Sequence, residues 1–413
     1  MFNPPLPQHR IFDRVVNILF GGFRRWDAVY FLHIAEHGYS YENSLAFFPL
    51  FPLSVRATAS TLFFPLQYYM NYSSVLLIAA VVVNIVFFVL SAMVLFELSK
   101  LVLGNEQMAY RAAQLYCVNP ASIFFSACYS ESVFALITWL GMLLVERNKL
   151  TMAALCFAFS GAARSNGLVN IGFILYKTAV NLFLDPPSSE GVVSRFASVL
   201  LPTLLRIVIS VSPFLAYQYY AYLVFCNTTA SYSNLPDDVR RYGTEQGYRM
   251  PYMGPSTWCH YSLPVSYSYI QESHWNVGLF RYYEAKQIPN FVLATPISLL
   301  ATYAVYLVLS RYPKHCICLG LRKVVEVSSW SKKTDDPIPV VSTNERCLPS
   351  SCFVYIVHLA FLLVFGVLFM HVQVITAVVV HVQHYRYLEY FLFVCVFLYL
   401  QYSISYRYSV SIL

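Results

Sequence analysis

Long apolar runs separated by short polar segments dominate this sequence. Several of these runs have about 20 residues, the length that an α-helix needs to cross a bilayer. They are Val75–Phe96, Ile207–Phe225, Phe291–Leu309, Phe353–Met370 and Tyr390–Tyr406. Each of them predicts one membrane-spanning helix.

Two further runs, Ala112–Val145 and Met152–Phe183, are too long for a single span, and polar residues interrupt both of them. The first run is broken at residues 119–120 and 129–131, and the second at residues 164–167. Because a polar break or a proline favours a helix end, each run is predicted to fold as a hairpin of two short helices. The chain then has about nine spans.

The composition agrees with a protein embedded in lipid. Of 413 residues, 58% are hydrophobic and 11% are charged, whereas a soluble domain carries roughly 25% charged residues. The fold class predicted is therefore an all-α polytopic membrane protein. The net charge of +7 is spread over loops, which indicates topology and not a nucleic-acid partner. The ten cysteines are scattered, so neither a disulfide framework nor a zinc site is expected.

Basic residues near the ends of the runs predict the orientation of the chain, because they concentrate on the cytosolic side of a membrane. With the hairpins counted as pairs, they all lie on one side. They are Lys100, Arg111, Arg147, Lys149, Arg195, Arg206, Arg311, Lys314, Arg322, Lys323, Lys332 and Lys333. The polar segments 26–72, 129–131, 164–166, 227–288 and 371–373 then converge on the opposite, luminal side, which predicts a site there.

This topology predicts six regions. Residues 1–72 form an N-terminal segment with the first luminal loop, 73–226 a transmembrane core with two hairpins, and 227–288 an aromatic-rich luminal loop. Residues 289–310 form a span, 311–352 a basic cytosolic loop, and 353–413 the C-terminal spans. No run before residue 73 is long enough to span. The first span would then have to carry a tail with several arginines across the membrane, against the charge bias, so an upstream span is expected to be missing.

The first luminal loop contains Arg24-Arg25-Trp26-Asp27, and Trp26, Tyr30, His33 and His37 share one predicted helical face. A carboxylate beside two arginines at a membrane surface suits a general base or an acceptor for a sugar hydroxyl. The alternative is an interfacial amphipathic helix with Asp27 placed favourably near its N-terminus.

Arg164 lies within an apolar run, where a charge is costly and commonly functional. It suits a phosphate anchor, and the alternative is an arginine that reaches the interface from a hairpin tip. Glu131 likewise suits either a functional or a structural role, and its position favours the structural one. Asn84 and His358, which lie in the middle of spans, favour hydrogen bonds between helices over ligand contacts.

The loop 227–288 is rich in Tyr and Trp, including Trp275 and Tyr283. Stacking rings beside planar hydrogen-bonding groups are typical of sugar-binding surfaces, and a folded loop with interfacial aromatics is the alternative. The glycosylation sequons at Asn71 and Asn227 both abut a span, so modification is not expected there.

Five blocks of this sequence resemble the PIG-V family of mannosyltransferases. They are Trp26–Tyr39 with Ala46–Pro52, Asn119–Glu131, Arg164–Leu168, Trp258–Ala294 and Met370–Val374. The resemblance implies a GT-C glycosyltransferase of the endoplasmic reticulum with a luminal site. It further implies that dolichol-phosphate-mannose is the donor and that the glycosylphosphatidylinositol (GPI) precursor receives an α1,6-linked second mannose. Asp27 corresponds to an acidic residue of the family.

The resemblance also implies roles for individual residues in a single inverting displacement. Asp27 is expected to deprotonate or orient the acceptor hydroxyl, and Arg164, Arg24 and Arg25 to stabilise the departing phosphate. The expected substrate contacts are Trp26, Glu36, His37, Glu131, Asn166, Trp275, Tyr283, His371 and Gln373. No DxD spacing is present, so neither a metal site nor another cofactor is expected.

Three alternatives stay open at this point. They are a different GT-C sugar transfer, a truncated non-catalytic form or accessory membrane subunit, and a polytopic transporter. A span before the first loop belongs to the family pattern, and the sequence is expected to depart from that pattern after about residue 376. A small membrane accessory subunit is a further candidate partner.

Overall fold

The computed structural model describes residues 2, 4, 10–118, 123–184, 192–227, 235–321 and 350–369. Every long regular element in these residues is an α-helix. The helices are α1 Ile11–Phe20, α2 Ala28–His37, α3 Leu50–Ser60, α4 Tyr72–Leu103, α5 Glu106–Cys117, α6 Ile123–Ser126, α7 Glu131–Glu146, α8 Leu150–Ala163, α9 Ile171–Leu184, α10 Val192–Phe225, α11 Asp237–Glu245, α12 Ser266–Trp275, α13 Ile288–Arg311, α14 Pro313–Ile317 and α15 Ser350–Phe369. Short 3₁₀ turns connect several of them.

Four helical segments of the described residues are long and apolar enough to cross a membrane. They are Tyr72–Leu103, Ala197–Phe225, Ala294–Arg311 and Cys352–Phe369. Each contains or closely matches one of the single apolar runs of the sequence, so the prediction of an all-α polytopic membrane protein is confirmed. The remaining predicted run, Tyr390–Tyr406, lies outside the described residues.

The two longer apolar runs are interrupted at their polar residues. In the first run, α5 ends at Cys117 and α7 begins at Glu131. Within the described residues, the one-turn helix α6 is the only helix between them. In the second run, α8 ends at Ala163 and α9 begins at Ile171. A 3₁₀ turn, Ser165–Asn170, joins these two helices. The break therefore falls where the charged and polar side chains are.

The core between α4, α7 and α8 is apolar and contains one buried amide that shapes the site. Asn84 of α4 is fully buried, and its Nδ2 donates to the carbonyls of Tyr129, at 2.9 Å, and Ala127. The prediction was a hydrogen bond between helices, whereas the structure shows bonds from a helix to the turn before α7. Because the turn that precedes α7 receives these bonds, a mid-span residue of α4 fixes that turn.

A disulfide between Cys226 and Cys259 joins the end of α10 to the segment 235–287, with 5.5 Å between the Cα atoms. The sequence showed no disulfide framework, and this single bond was not expected from it. The two cysteines are 33 residues apart, and no spacing motif marks such a pair. Only the return of the loop to the end of α10 brings them within bonding distance.

Candidate active site

Asp27 lies immediately before the first turn of α2. Its carbonyl oxygen accepts hydrogen bonds from the backbone N–H groups of Tyr30, at 3.0 Å, and Phe31, at 3.2 Å. Trp26 precedes it with a φ of +54°, a left-handed conformation that is strained for a bulky residue. Trp26 is therefore outside α2 and not on its predicted face. The side chain of Trp26 is 42% exposed, whereas Asp27 is only 6% exposed.

The turn before α7 holds the backbone that leads to Asp27. The Tyr129 hydroxyl donates to the carbonyl oxygen of Arg25 at 3.0 Å. The backbone N–H of Cys128 donates to the carbonyl oxygen of Phe23 at 3.5 Å. These two bonds place the start of α2 against the start of α7, although about a hundred residues of chain separate them.

Glu131 and Arg164 form a buried ion pair. Nη1 of Arg164 lies 2.9 Å from Oε1 of Glu131, and their side chains are 17% and 4% exposed. The same Nη1 also donates to the hydroxyl of Ser130 at 2.9 Å. A salt bridge so far from water is stable only when its geometry is good, and removal of one partner leaves a costly unpaired charge.

Asp27 belongs electrostatically to this pair. Burial raises the pKa of its carboxyl well above the usual value, and the negative charge of Glu131 raises it further, while Arg164 acts in the opposite direction. The structure thus brings together three of the predicted site residues, Asp27, Glu131 and Arg164. Within the described residues, the Asp27 carboxylate makes no hydrogen bond to another side chain.

The turn that follows Arg164 is fixed on two sides. Asn170 donates to the Ser160 hydroxyl at 3.1 Å, and the Thr138 hydroxyl lies 2.8 Å from the same oxygen. On the other side, the hydroxyls of Ser165 and Tyr267 are 2.7 Å apart. A Cβ atom on Gly167 would lie 2.5 Å from the backbone nitrogen of Gly161, so only glycine permits this close approach.

The two neighbouring arginines of the first loop point to different places. Nη2 of Arg24 donates to the carbonyl oxygen of Ser73 at 2.9 Å, at the start of α4. Burial lowers the pKa of Arg24, with partial compensation from nearby groups that include Glu36. Arg25 is exposed. Arg24 therefore ties the loop to a spanning helix, and its predicted contact with the donor phosphate stays a prediction, as does that of Arg25.

Glu36 and His37 lie at the opposite end of α2 from Asp27. Nε2 of His37 is 3.9 Å from Oε2 of Glu36, and burial lowers the pKa of His37. His33, one turn earlier, shares a 2.6 Å hydrogen bond with Ser40. Burial lowers the pKa of His33 to about 3. These imidazoles are therefore neutral near pH 7, which favours hydrogen bonding to sugar hydroxyls over phosphate binding.

The predicted aromatic contacts divide into two groups. The Trp275 ring lies 6.0 Å from that of Phe47, which stacks on Tyr30 of α2 at 4.5 Å. Trp275 is thereby connected to the Asp27 helix. Tyr283 instead donates its hydroxyl to the carbonyl oxygen of Val367, at 3.0 Å, near the end of α15.

Asn166 lies in the 3₁₀ turn directly after the paired arginine. His371 and Gln373 lie outside the described residues, so their predicted substrate contacts are not placed. In the described part of the chain, no group of three or more His, Cys, Asp or Glu side chains is arranged to hold a metal ion.

A membrane-spanning helical bundle with a buried carboxylate beside a fixed guanidinium has the features of a membrane-embedded group transferase. Its carboxylate is suited to take a proton, and its guanidinium to bind a phosphate. The sequence profile of the family described as mannosyltransferase (PIG-V) matches residues 1–395, and the chain belongs to this family. The GT-C class of glycosyltransferases follows from that membership, which decides against a transporter.

Named relatives align over most of the chain. It is 42% identical to GPI alpha-1,6-mannosyltransferase 2 of Cricetulus griseus over 91% of this chain and 74% of that protein. The Homo sapiens protein of the same name is 39% identical, with the same coverage. GPI mannosyltransferase 2 of Drosophila melanogaster is 34% identical over 88% of this chain and 77% of that protein. No solved structure matches the chain.

Proposed function

We propose that this chain transfers the second mannose, in α1,6 linkage, to the GPI anchor precursor at the luminal face of the endoplasmic reticulum. The donor is dolichol-phosphate-mannose. The observation that carries the proposal is the buried Asp27 carboxylate facing the Glu131–Arg164 pair, in a chain of the PIG-V family. The names of its relatives specify the acceptor and the linkage.

The arrangement supports an inverting displacement in one step. Asp27 takes the proton of the acceptor mannose 6-hydroxyl, whose oxygen forms a bond to C1 of the donor mannose. The bond between C1 and the phosphate oxygen breaks at the same time, and the positive charge of Arg164 stabilises the dolichol phosphate that leaves. The raised pKa of Asp27 makes its carboxylate a stronger base than one in water.

A metal ion is not part of this proposal. A lipid phosphate is already a fair leaving group, and Arg164 supplies positive charge in a buried position where electrostatic interactions are strong. Mannose transfer by washed microsomes is expected to survive a chelator such as EDTA. A loss of activity that added Mg²⁺ or Mn²⁺ restores would contradict this part of the mechanism.

The luminal position of the site has two independent supports. The Cys226–Cys259 disulfide belongs in an oxidising compartment such as the endoplasmic reticulum lumen. The basic segment after α13, on the other side of the predicted topology, follows the rule for cytosolic loops. A cysteine introduced at Thr334 in that segment is expected to react with an impermeant reagent after selective permeabilisation of the plasma membrane. Protection of this cysteine would overturn the topology.

The decisive experiment uses cells that lack their own second-mannose transferase and therefore accumulate the one-mannose GPI precursor. Expression of this chain should convert that precursor to the two-mannose form and restore GPI-anchored proteins at the cell surface. Digestion with a linkage-specific mannosidase then tests the α1,6 bond. Conversion of a different mannosylated lipid would support another GT-C transfer, and stable expression without any conversion would support a non-catalytic subunit.

A further inference from the structure

We propose that Glu131 is a positioning residue and not a substrate contact: together with the Ser130 hydroxyl, its carboxylate fixes the Arg164 guanidinium beside Asp27. The inference deepens the proposed function and rests on it for its activity assays. It replaces the substrate-binding role that the sequence alone predicts for Glu131.

The geometry of the pair supports positioning. Glu131 and Ser130 both accept from the same Nη1 atom of Arg164, each at 2.9 Å. Two acceptors on one guanidinium nitrogen determine where the group lies and how it is turned. The side chain of Glu131 is 4% exposed, compared with 17% for that of Arg164. Of the two partners, the arginine is therefore the more accessible to a substrate.

The same turn also positions Asp27. Besides Ser130 and Glu131, the segment 127–131 contains Cys128 and Tyr129, which bind the carbonyls of Phe23 and Arg25 just before Asp27. Asn84 anchors the segment from α4. A second bond fixes its far side, from the hydroxyl of Ser132 to the carbonyl oxygen of Phe125 at 2.7 Å. One short turn thus determines the separation between the base and the phosphate-binding cation.

The pairing also has an electrostatic consequence for the base. An arginine without a partner, buried beside Asp27, would be drawn into an ion pair with that carboxylate. Glu131 competes for the guanidinium and leaves the Asp27 carboxylate available to a sugar hydroxyl. In the described residues, the charged groups that face Asp27 are Glu131 from α7 and Arg164 from the end of α8. Arg24, on the same loop, is directed to Ser73 and Glu36.

The first test is a double-mutant cycle on mannose transfer with Glu131→Gln, Arg164→Gln and the double variant. Loss of a charge-assisted hydrogen bond corresponds to roughly ten- to a hundred-fold in rate. If Glu131 acts through Arg164, the double variant should be no slower than Arg164→Gln alone. Losses that multiply would show an independent role, such as substrate contact, and would overturn the proposal.

The second test is the acidic limb of the pH profile of kcat/KM, which reports ionisation of the base in the free enzyme. Glu131→Gln removes a negative charge and should lower the pKa of Asp27, so the limb moves to lower pH. Arg164→Gln removes a positive charge and should move the limb to higher pH. Shifts in the same direction, or an unmoved limb in both variants, would overturn the arrangement.

Two controls keep the outcome interpretable. Glu131→Asp retains the charge and should keep its acidic limb at the wild-type pH even if its rate falls. Glu106→Gln removes a carboxylate from the exposed Lys100–Glu106 pair, whose atoms are 3.7 Å apart, and should change neither rate nor pH profile. Rates are normalised to the amount of folded protein, so a variant that folds poorly does not imitate a catalytic defect.

Failure of the proposed function can be distinguished from failure of the positioning role of Glu131. If the wild-type chain transfers no mannose to the one-mannose precursor, the proposed function fails. The pair is then tested by the same four-variant cycle on thermal stability in detergent. Coupling between Glu131 and Arg164 should appear there, and its absence would overturn the positioning role regardless of activity.

Discussion

Two regions of this protein use polar groups in different ways. Around Asp27, the polar contacts are buried, as in the Glu131–Arg164 pair. In the segment 235–287, the ion pairs Arg281–Glu272 and Lys286–Glu284 are between side chains that are 41% exposed or more. Exposed pairs contribute little to stability, whereas a buried pair fixes geometry and is costly to break.

The difference shows in which region the positions of side chains must be precise. Proton and phosphate chemistry tolerates little displacement, and the residues proposed for it lie where the helices determine position. The segment 235–287 is held by the Cys226–Cys259 disulfide and by a hydrogen bond of 2.9 Å from buried Trp258 to Glu42. Such anchoring leaves an exposed surface that is suited to contact a large glycan.

The largest expected effect is that of Asp27→Asn, which keeps the shape of the side chain and removes the base. Mannose transfer is expected to fall by at least about a hundred-fold, the usual contribution of a general base. Full rescue of surface GPI-anchored proteins by this variant, at wild-type expression, would remove Asp27 from the mechanism.

The same substitution should leave the thermal stability of the protein unchanged or raise it, although it removes activity. The pKa of Asp27 is raised by folding, so the folded state binds its proton more tightly than the unfolded state does. The stability from this group is therefore present at low pH and is lost as the pH rises through the folded-state pKa. Above that pKa, Asp27→Asn should unfold at the same or a higher temperature than wild type, and a marked drop would indicate a structural role.

The next effect is that of Arg164→Ala, in the same buried region. The concentration of dolichol-phosphate-mannose needed for half-maximal transfer is expected to rise roughly ten- to a hundred-fold. The requirement for the one-mannose GPI acceptor should stay near wild type. A shift in the acceptor requirement instead would show that Arg164 binds the acceptor.

At the disulfide that holds segment 235–287, the paired substitutions Cys226→Ser and Cys259→Ser should reduce the stability of the protein more than its rate of mannose transfer. Opening a disulfide across 33 residues is expected to cost about 2–4 kcal/mol of stability. Trypsin should cleave within residues 236–287 more readily, while the rate per folded molecule falls less than about ten-fold. Cys318→Ser, an exposed free cysteine, is the matched control and should match wild type in both measurements.

The smallest expected effect is that of Tyr283→Phe. It removes the hydroxyl that donates to Val367 and keeps the ring that packs 4.9 Å from Phe291. Since the net contribution of such a bond is only about 1 kcal/mol and Tyr283 is 47% exposed, transfer should stay within about two-fold of wild type. A large loss of mannose transfer would show that Tyr283 contacts the substrate.

Much of the architecture could be predicted from the sequence because membrane helices leave a strong signal. Without water in the bilayer, the backbone must pair within the helix, so apolar length alone predicts a span. The breaks at residues 129–131 and 164–167 were equally visible, since a charged residue inside an apolar run is costly unless it faces a site or an interface. Glu131 and Arg164 could therefore be selected before any contact was known, whereas Asp27 was selected from its place beside two arginines and from the family resemblance.

The contacts among these residues could not be predicted in the same way. The sequence left Glu131 between a functional and a structural role and grouped Arg24 with Arg164. The structure pairs Glu131 with Arg164 and directs Arg24 to Ser73. Nothing in the sequence indicated the Cys226–Cys259 bond. The sequence singled out Tyr129 only as part of a polar break in an apolar run. Its hydrogen bond to the backbone of Arg25 forms because two segments that are distant in sequence meet in the fold.

The sequence by itself thus determined the helical class, the positions of the described spans and the side chains that carry charge into the membrane region. Each of these depends on local hydropathy, which accumulates over neighbouring residues. Only the tertiary structure decided which charge faces which. Ion pairs, disulfides and buried hydrogen bonds form between atoms within a few ångströms, and that proximity arises from packing α4, α7 and α8 together, not from distance along the chain.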